Sequence, residues 1–377
     1  MYGNLFNRLS VITLGFALLI AGCRKDIQPP QVDLTQIEGY TRGKVDAPTV
    51  RGLYVLNEGN MNQNKSSLDY LDLNTGLFTR NIFEAYNPEI TKGLGDVGND
   101  IQIYGGKMYI VVNNSNKVEV VDPATAIRIK ELDVWQCRYV VFYKDHAYIT
   151  SNGNYISVID TATLTETARI PTGRNPEQMA IAGNKLYVAN SGGYSPPNYE
   201  RTVSVINLDT RQELKRIDVA INLDRLALDP YGDLYVTSRG DYYTVPSRMF
   251  VIDTHADTVK KRFDFAASNI VIHKDIAYIY AVAWSYITHS NTISYAMIDV
   301  KADTLLHTSF ITDGTEKQIV IPYGILVDPD TEDIYVTDAL DYLSPGILYC
   351  FDKSGKKKWS VETGDIPGHF VFLKNHQ

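Results

Sequence analysis

Lys185-Leu186-Tyr187-Val188-Ala189 is one copy of a strand that the chain writes seven times. The other copies are Gly52-Leu53-Tyr54-Val55-Leu56-Asn57, Lys107-Met108-Tyr109-Ile110-Val111, His146-Ala147-Tyr148-Ile149-Thr150, Asp233-Leu234-Tyr235-Val236-Thr237, Ile276-Ala277-Tyr278-Ile279-Tyr280 and Asp333-Ile334-Tyr335-Val336-Thr337. Tyrosine and its β-branched neighbours suit strands. The shared tyrosines stand 55, 39, 39, 48, 43 and 57 residues apart, an interval that holds one four-stranded blade per repeat with insertions in the longer ones.

A second strand follows each of these and usually ends at an acid, as in Ser157-Val158-Ile159-Asp160, Met249-Phe250-Val251-Ile252-Asp253 and Leu348-Tyr349-Cys350-Phe351-Asp352, with Asn207 in one repeat. Because these acids recur with the fold and precede segments such as Pro123-Ala124-Thr125, they read as turn formers whose side chains bond the backbone two residues on, not as catalytic carboxylates. A third strand leads toward the next blade, and the innermost strands are expected at 100–104, 139–143, 178–182, 225–228, 270–273 and 324–327. Only six innermost strands lie between the tyrosine strands. The seventh is Phe370-Val371-Phe372-Leu373, which would pair beside Gly52–Asn57, complete the first blade and close the ring. The expected fold is therefore all-β, a seven-bladed β-propeller over residues 51–377.

In this architecture the chain reaches each innermost strand from one face, and that face also carries the turn after each tyrosine strand. Those loops are the long ones, at 58–65, 113–116, 151–155, 191–201, 238–248, 283–291 and 338–345. They hold Asn60, Tyr155, Tyr194, Tyr199, Arg239, Asp241, Tyr242, Tyr243, Trp284, Tyr286 and Tyr342. The segments leading into the innermost strands add Asn99, Trp135, Arg138, Arg174, Arg225, Tyr323 and His369. Loops held by a rigid scaffold are where function concentrates. Aromatic rings edged by amide and charged groups suit a large ligand with a flat apolar body and polar rim, while some of these rings are expected to pack under their own loops.

The same face yields little catalytic signal: it has no G-x-S-x-G elbow, H-E-x-x-H pair or P-loop. The loop at 93–100, with Asp96, Asn99 and Asp100, lacks the ligand spacing of a calcium-binding EF-hand and reads better as a capped turn. No cofactor and no metal are called for. Cys137 and Cys350 fall in strands of different repeats and read as buried thiols, although an exported protein could pair them.

The first residues give an address. A leader with Arg8 precedes an apolar run from Val11 to Ile20, too short for a stable transmembrane helix. It ends in Leu19-Ile20-Ala21-Gly22-Cys23, which resembles the bacterial lipobox. That resemblance implies a signal peptide at 1–22, lipidation of Cys23 and a membrane anchor there. Residues 24–50, with Pro29, Pro30 and Pro48 and no sustained apolar period, read as a flexible extended stalk. Arg24-Lys25-Asp26 resembles the charged tags of surface-exported Gram-negative lipoproteins. The formal charge of −8 and the pI near 5.4 argue against nucleic acid as a partner. The 26 tyrosines against 12 phenylalanines fit a wet binding surface.

Tyr187-Val188-Ala189-Asn190 and Ser157-Val158-Ile159-Asp160 resemble the repeats of YncE-like propellers. Tyr54-Val55-Leu56-Asn57-Glu58-Gly59-Asn60 and Gly95-Asp96-Val97-Gly98-Asn99-Asp100-Ile101, behind a lipobox, resemble the surface lipoprotein propellers of gut Gram-negative bacteria, of which the BtuG group is one branch. The resemblance implies a non-enzymatic outer-membrane lipoprotein that captures cobalamin or another corrinoid and hands it to a TonB-dependent transporter. Two other readings stay open. One is a glycan- or protein-binding module of a surface uptake complex. The other is a propeller lactonase or lyase, for which Asp224, His369 and Asp100 are the loose candidates.

Overall fold

The computed structural model describes residues 32–43, 45–285, 289–306 and 308–375, so the leader, Cys23 and Tyr286 lie outside the described residues. Seven antiparallel sheets stand side by side around a channel, and each innermost strand contacts the innermost strands of its two neighbours in ring order. Blade 2 sets the pattern with Gly98–Tyr104, Lys107–Val112, Lys117–Val121 and Arg128–Asp133, from channel to rim. The innermost strands of blades 3 to 7 are Cys137–Tyr143, Pro176–Ala182, Leu223–Leu228, Asn269–His273 and Pro322–Val327. Blade 1 takes its innermost strand from the other end of the chain: Pro367–Lys374 pairs antiparallel with Val50–Asn57. The ring closes as the repeat count implied.

The turn acids behave as their sequence context requires. Asp122 Oδ1 accepts the amides of Ala124 and Thr125 at 2.9 and 3.0 Å, and Asp160, Asn207 and Asp253 do the same in their own blades. Such short polar side chains replace a backbone acceptor where the strand reverses. Six of the seven repeated tyrosines are buried between blades and Tyr278 is partly so, and the largest fully buried side chains include Tyr109, Tyr148, Tyr187 and Tyr235.

One expectation needs correction. The stretch read as a flexible stalk is partly built into the propeller: Asp33–Gln36 forms a fifth strand on the outer edge of blade 1, paired with Leu77–Arg80. Arg80 clips it, bonding Asp33 through Nε at 3.1 Å while another guanidinium nitrogen meets Glu362 of blade 7. Downstream, Ile37 is buried, Tyr40 packs on Trp359 and donates to the Leu73 carbonyl at 2.7 Å, and Arg42 bonds Asp330 at 2.9 Å. The short apolar spacing of Ile37 and Tyr40 is too sparse to register as a period, yet it seals the seam where the ring closes.

Cys137 and Cys350 are free thiols buried in separate cores, and burial pushes the Cys137 thiol up to about 12. Among the described residues no helix is long and apolar enough to cross a membrane.

The wrap of 33–50 sets a stability test. A protein starting at Gly52 is expected to lose about 3–5 kcal/mol against one starting at Val32, from the lost burial of Ile37 and Tyr40 and the lost Arg42 pair. Urea unfolding of the two proteins checks this, and equal midpoints would mean the wrap is an ornament of the surface.

Candidate functional site

The innermost strands do not run straight into the channel mouth. Near its start, each of those in blades 3, 4, 5 and 7 bulges, so that two residues oppose one on the tyrosine strand. The residues in the bulges are Arg138 and Tyr139, Glu177 and Gln178, Asp224 and Arg225, and Tyr323 and Gly324. A bulge bends the strand and re-aims a side chain, and it also frees a backbone amide. In three of these blades the threonine two residues after the repeated tyrosine takes up that amide, and in blade 4 Ala189 stands at that place. Thr150, Thr237 and Thr337 Oγ1 accept from the N–H of Tyr139, Arg225 and Gly324 at 3.0, 2.9 and 2.8 Å. Blade 6 is the exception. Its innermost strand pairs without a register shift, Tyr280 stands where the threonine would be, and its hydroxyl reaches the Tyr323 carbonyl of blade 7.

The bulged side chains form a ring of charge. Glu177 pairs with Arg138 at 2.8 Å and with Arg239 at 3.5 Å, and Arg239 also pairs with Asp224 at 2.8 Å. Asn99 donates to the Arg138 carbonyl at 2.6 Å and so fixes the first member. Burial lowers an arginine's pKa, but the carboxylates opposite outweigh it for Arg138 and Arg239, which stay charged. Across the mouth, Glu58 bridges His369 Nε2 at 3.1 Å and accepts from the Tyr323 hydroxyl at 2.9 Å. Burial, with Glu58 beside it, pushes the Tyr323 phenol well up.

Above blades 5 to 7 this mouth opens into a cavity of about 820 Å³. Seven of the residues singled out from sequence line it: Arg225, Arg239, Tyr242, Tyr243, Trp284, Tyr323 and Tyr342. Tyr280, Asp224 and Phe265 complete the wall. Blade 6 supplies one side of it by extending its central hairpin, Ile276–Ser285 against Ser290–Asp299, which carries Trp284. Trp284, Tyr242 and Tyr243 remain about half exposed or more, at 49, 54 and 79 %. Arg225, Arg239 and Asp224 therefore lie deep beside Tyr280 and Tyr323, while Trp284, Tyr242 and Tyr243 stand at the rim with the Arg248–Asp264 ion pair.

The other sequence candidates stand apart from the cavity lining. Asp241 shapes its own loop, accepting the amides of Tyr243, Thr244 and Val245, and those bonds hold its carboxyl down to about 2. Asn60 bonds the Tyr342 carbonyl, and Arg174 holds the loop at 191–201 through Glu200 and the Asn198 carbonyl. Tyr155 lies under Arg169, 4.6 Å from its guanidinium carbon. Tyr199 is half-buried, with Tyr242 and Asp241 contributing to the rise of its phenol pKa. Trp135 and Tyr194 stand exposed on the opposite sector, blades 2 to 4. His369 is buried against Glu58 and, edge-on, Tyr139.

Asp224, His369 and Asp100 make no direct hydrogen bond or ion pair with one another, although His369 lies near enough to oppose the burial that pushes the Asp100 carboxyl up. Asp224 is committed to Arg239, His369 to Glu58, and Asp100 accepts backbone amides from Ile101 and Val140 within the channel wall. Among the described residues no group of three His, Cys, Asp or Glu is placed to hold a metal. Asp96, in the loop at 93–100, instead accepts from the Asn62 amide and the Asn114 side chain. Sequence reading missed Glu58, Tyr139, Glu177 and Tyr280 as parts of the site. For Tyr139 a signal was available, since a Tyr-x-Thr triplet faces its bulge; Glu177 bulges opposite Ala189 with no such mark, and Glu58 and Tyr280 lie outside the bulges.

Over residues 51–372 the chain matches the family described as a domain of unknown function, DUF5074. No curated protein matches it. It is similar to the solved structure of a quinonprotein alcohol dehydrogenase-like protein from Bacteroides thetaiotaomicron VPI-5482, at TM-score 0.61 and 15% identity over 87% of this chain and 79% of that one. It is also similar to hydrazine synthase of Kuenenia stuttgartiensis, at TM-score 0.56 and 17% identity over 68% and 76% of the two chains. Apo AztD from Citrobacter koseri is similar at TM-score 0.53 and 12% identity, over 87% of this chain and 99% of that one. At such identities the likeness carries the propeller and no activity.

Glu177 is the keystone of the charge ring, so Glu177→Gln is expected to cost about 3 kcal/mol, because two largely buried guanidiniums lose a counter-charge. Urea unfolding measures it, and a cost below about 0.5 kcal/mol would mean that solvent, not Glu177, balances them.

Proposed function

The chain belongs to the DUF5074 family, and from the mouth of its propeller we propose that it is a capture protein for a flat, polar-edged ligand, a corrinoid such as cobalamin. The observation that carries this reading is the 820 Å³ cavity whose wall combines exposed aromatic rings with guanidinium and carboxylate groups. That volume lies toward the upper end of the usual range for ligand pockets, and a lining of aromatic faces interleaved with polar groups suits a macrocycle with amide arms. Aromatic faces at Trp284, Tyr242 and Tyr342 would cover the ring, while Arg239, Asp224 and Asn291 would meet the arms. Capture needs no chemistry. The carboxylates at the floor are engaged by arginines, which supports a binding role over hydrolysis.

Delivery to a TonB-dependent outer-membrane transporter is the second half of the proposal, with lipidation at Cys23 as its premise. Support comes from the outer strand of blade 1. Asp33 pairs with Arg80 at the same end of the blade as the cavity, where Asn57 pairs with Ser67. A lipid ten residues before Asp33 would keep the ligand face within roughly 35 Å of the bilayer, the reach of ten extended residues. The face that holds cargo would thus be the face nearest a transporter.

Calorimetry with cyanocobalamin on the protein from Val32 onward tests the first half. One-to-one binding is expected, and Trp284→Ala should weaken it by about 2 kcal/mol, roughly thirtyfold, as loss of an aromatic anchor does. Absence of binding at high micromolar ligand would sink the corrinoid reading and make glycans, which also stack on aromatic platforms, the next ligands to screen.

A further inference from the structure

The charges at the floor of the cavity are unequally matched. Arg138 and Arg239 each have a carboxylate oxygen at 2.8 Å. Arg225 does not: among the described residues its one carboxylate neighbour is Asp224 at 3.8 Å, and Arg239 holds that same carboxylate more closely. The Arg225 guanidinium lies 5.3 Å over the Tyr139 ring, a position that steadies its plane without satisfying a single N–H. Its Nε is buried and meets no acceptor. The side chain is 15% exposed, and what remains open faces the cavity it lines. Nε is the atom nearest Asp224, and the terminal N–H groups of the fork are those left to the cavity.

We propose that Arg225 is the seat for a single anionic substituent of the ligand, a phosphate ester or a carboxylate carried on a planar body. This rests on the cavity being the ligand site. The physical reason is desolvation. A flat ligand that settles on Trp284, Tyr242 and Tyr342 closes the mouth and removes the water that Arg225 still reaches. A neutral ligand would then leave a buried guanidinium without an acceptor, at a cost that cancels much of the gain from stacking. A ligand with an anionic oxygen pair converts the same closure into a charge-assisted, two-pronged bond, which the guanidinium plane suits and an ammonium would not. The site takes one such group and not two. Every other charge at the floor is already matched or negative: Glu177 and Asp224 by the two remaining arginines, and Glu58 by His369 and the Tyr323 hydroxyl. A second anion would face those carboxylates.

Small probes separate this from the capture reading. Phenyl phosphate, benzoate and neutral benzyl alcohol, titrated against the protein by ligand-observed NMR, are expected to show at least a tenfold preference for an anionic probe. Whichever anion binds more tightly names the group. Arg225→Gln should bring that preference below threefold, with benzyl alcohol unchanged, and Arg225→Lys should keep part of it. Raising salt should weaken the anions only. Equal affinity of charged and neutral probes for the unaltered protein overturns the proposal whether or not any variant folds, as does a preference that survives in folded Arg225→Gln. Cyanocobalamin in the same series keeps the two ideas apart. Anion preference without cyanocobalamin binding removes the corrinoid and leaves the seat, while cyanocobalamin bound equally by the protein and Arg225→Gln, with no anion preference, does the reverse.

Discussion

A tyrosine hydroxyl that crosses from one blade to the turn of the next holds this propeller in register. Tyr54 donates to the Pro123 carbonyl at 2.7 Å, Tyr187 to the Thr254 carbonyl at 3.0 Å, and Tyr235 to Asp303. Each acceptor belongs to the turn after the third strand of the following blade, the turn that an Asp side chain shapes from within. A ring buried between two sheets gains from apolar contact. In these three the hydroxyl also finds a partner across the seam, which ties blade spacing to the turn, while the buried Tyr109 hydroxyl makes no such bond. In those three blades the two recurring features of the repeat, the tyrosine and the turn acid, are two halves of one joint.

The joint fixes the channel wall, and the wall decides where function can sit. Innermost strands are linked laterally as well, Asp100 accepting the Val140 amide and Gln178 the Leu226 amide, each at 2.9 Å. With the wall held on both edges, a bulge at the mouth cannot relax by sliding the strand. Its strain is taken up locally by the threonine hydroxyl, and the bulged side chain points inward. Arg138, Glu177 and Asp224 of the charge ring are thus carried on the rigid wall, while Arg239 and the aromatic rim ride on loops and on the long hairpin of blade 6.

Sequence reading reached the fold because the joint is periodic. Seven tyrosines, the acids behind them and a C-terminal strand without a partner were enough for seven blades and a closed ring. It reached the face of the site as well, since only one end of each blade carries long loops. It fell short where position depends on other strands. Trp135, Tyr155 and Tyr194 have the same composition as Tyr242 and Trp284, and what separates them is the sector of the ring they occupy, which no local pattern encodes. Asp33–Gln36 was missed for a related reason: four residues with exposed side chains pair through backbone alone, and backbone pairing leaves no trace in apolar spacing.

The same constraint explains why the likeness to other propellers is silent about ligand. The repeat demands a tyrosine, a turn acid and, in three blades, a threonine facing the bulge. It demands nothing of the bulged residue, whose side chain leaves the sheet for the channel. The first bulged positions accordingly hold Arg138, Glu177, Asp224 and Tyr323, with Asn99 in the one-residue bulge of blade 2, five different side chains at one end of the channel wall. Selection on the fold acts at one set of positions and selection on the ligand at another, adjacent along the strand and independent in energy. A propeller of this kind can exchange its cargo by changing the bulged residues and the rim above them, leaving every joint between blades intact.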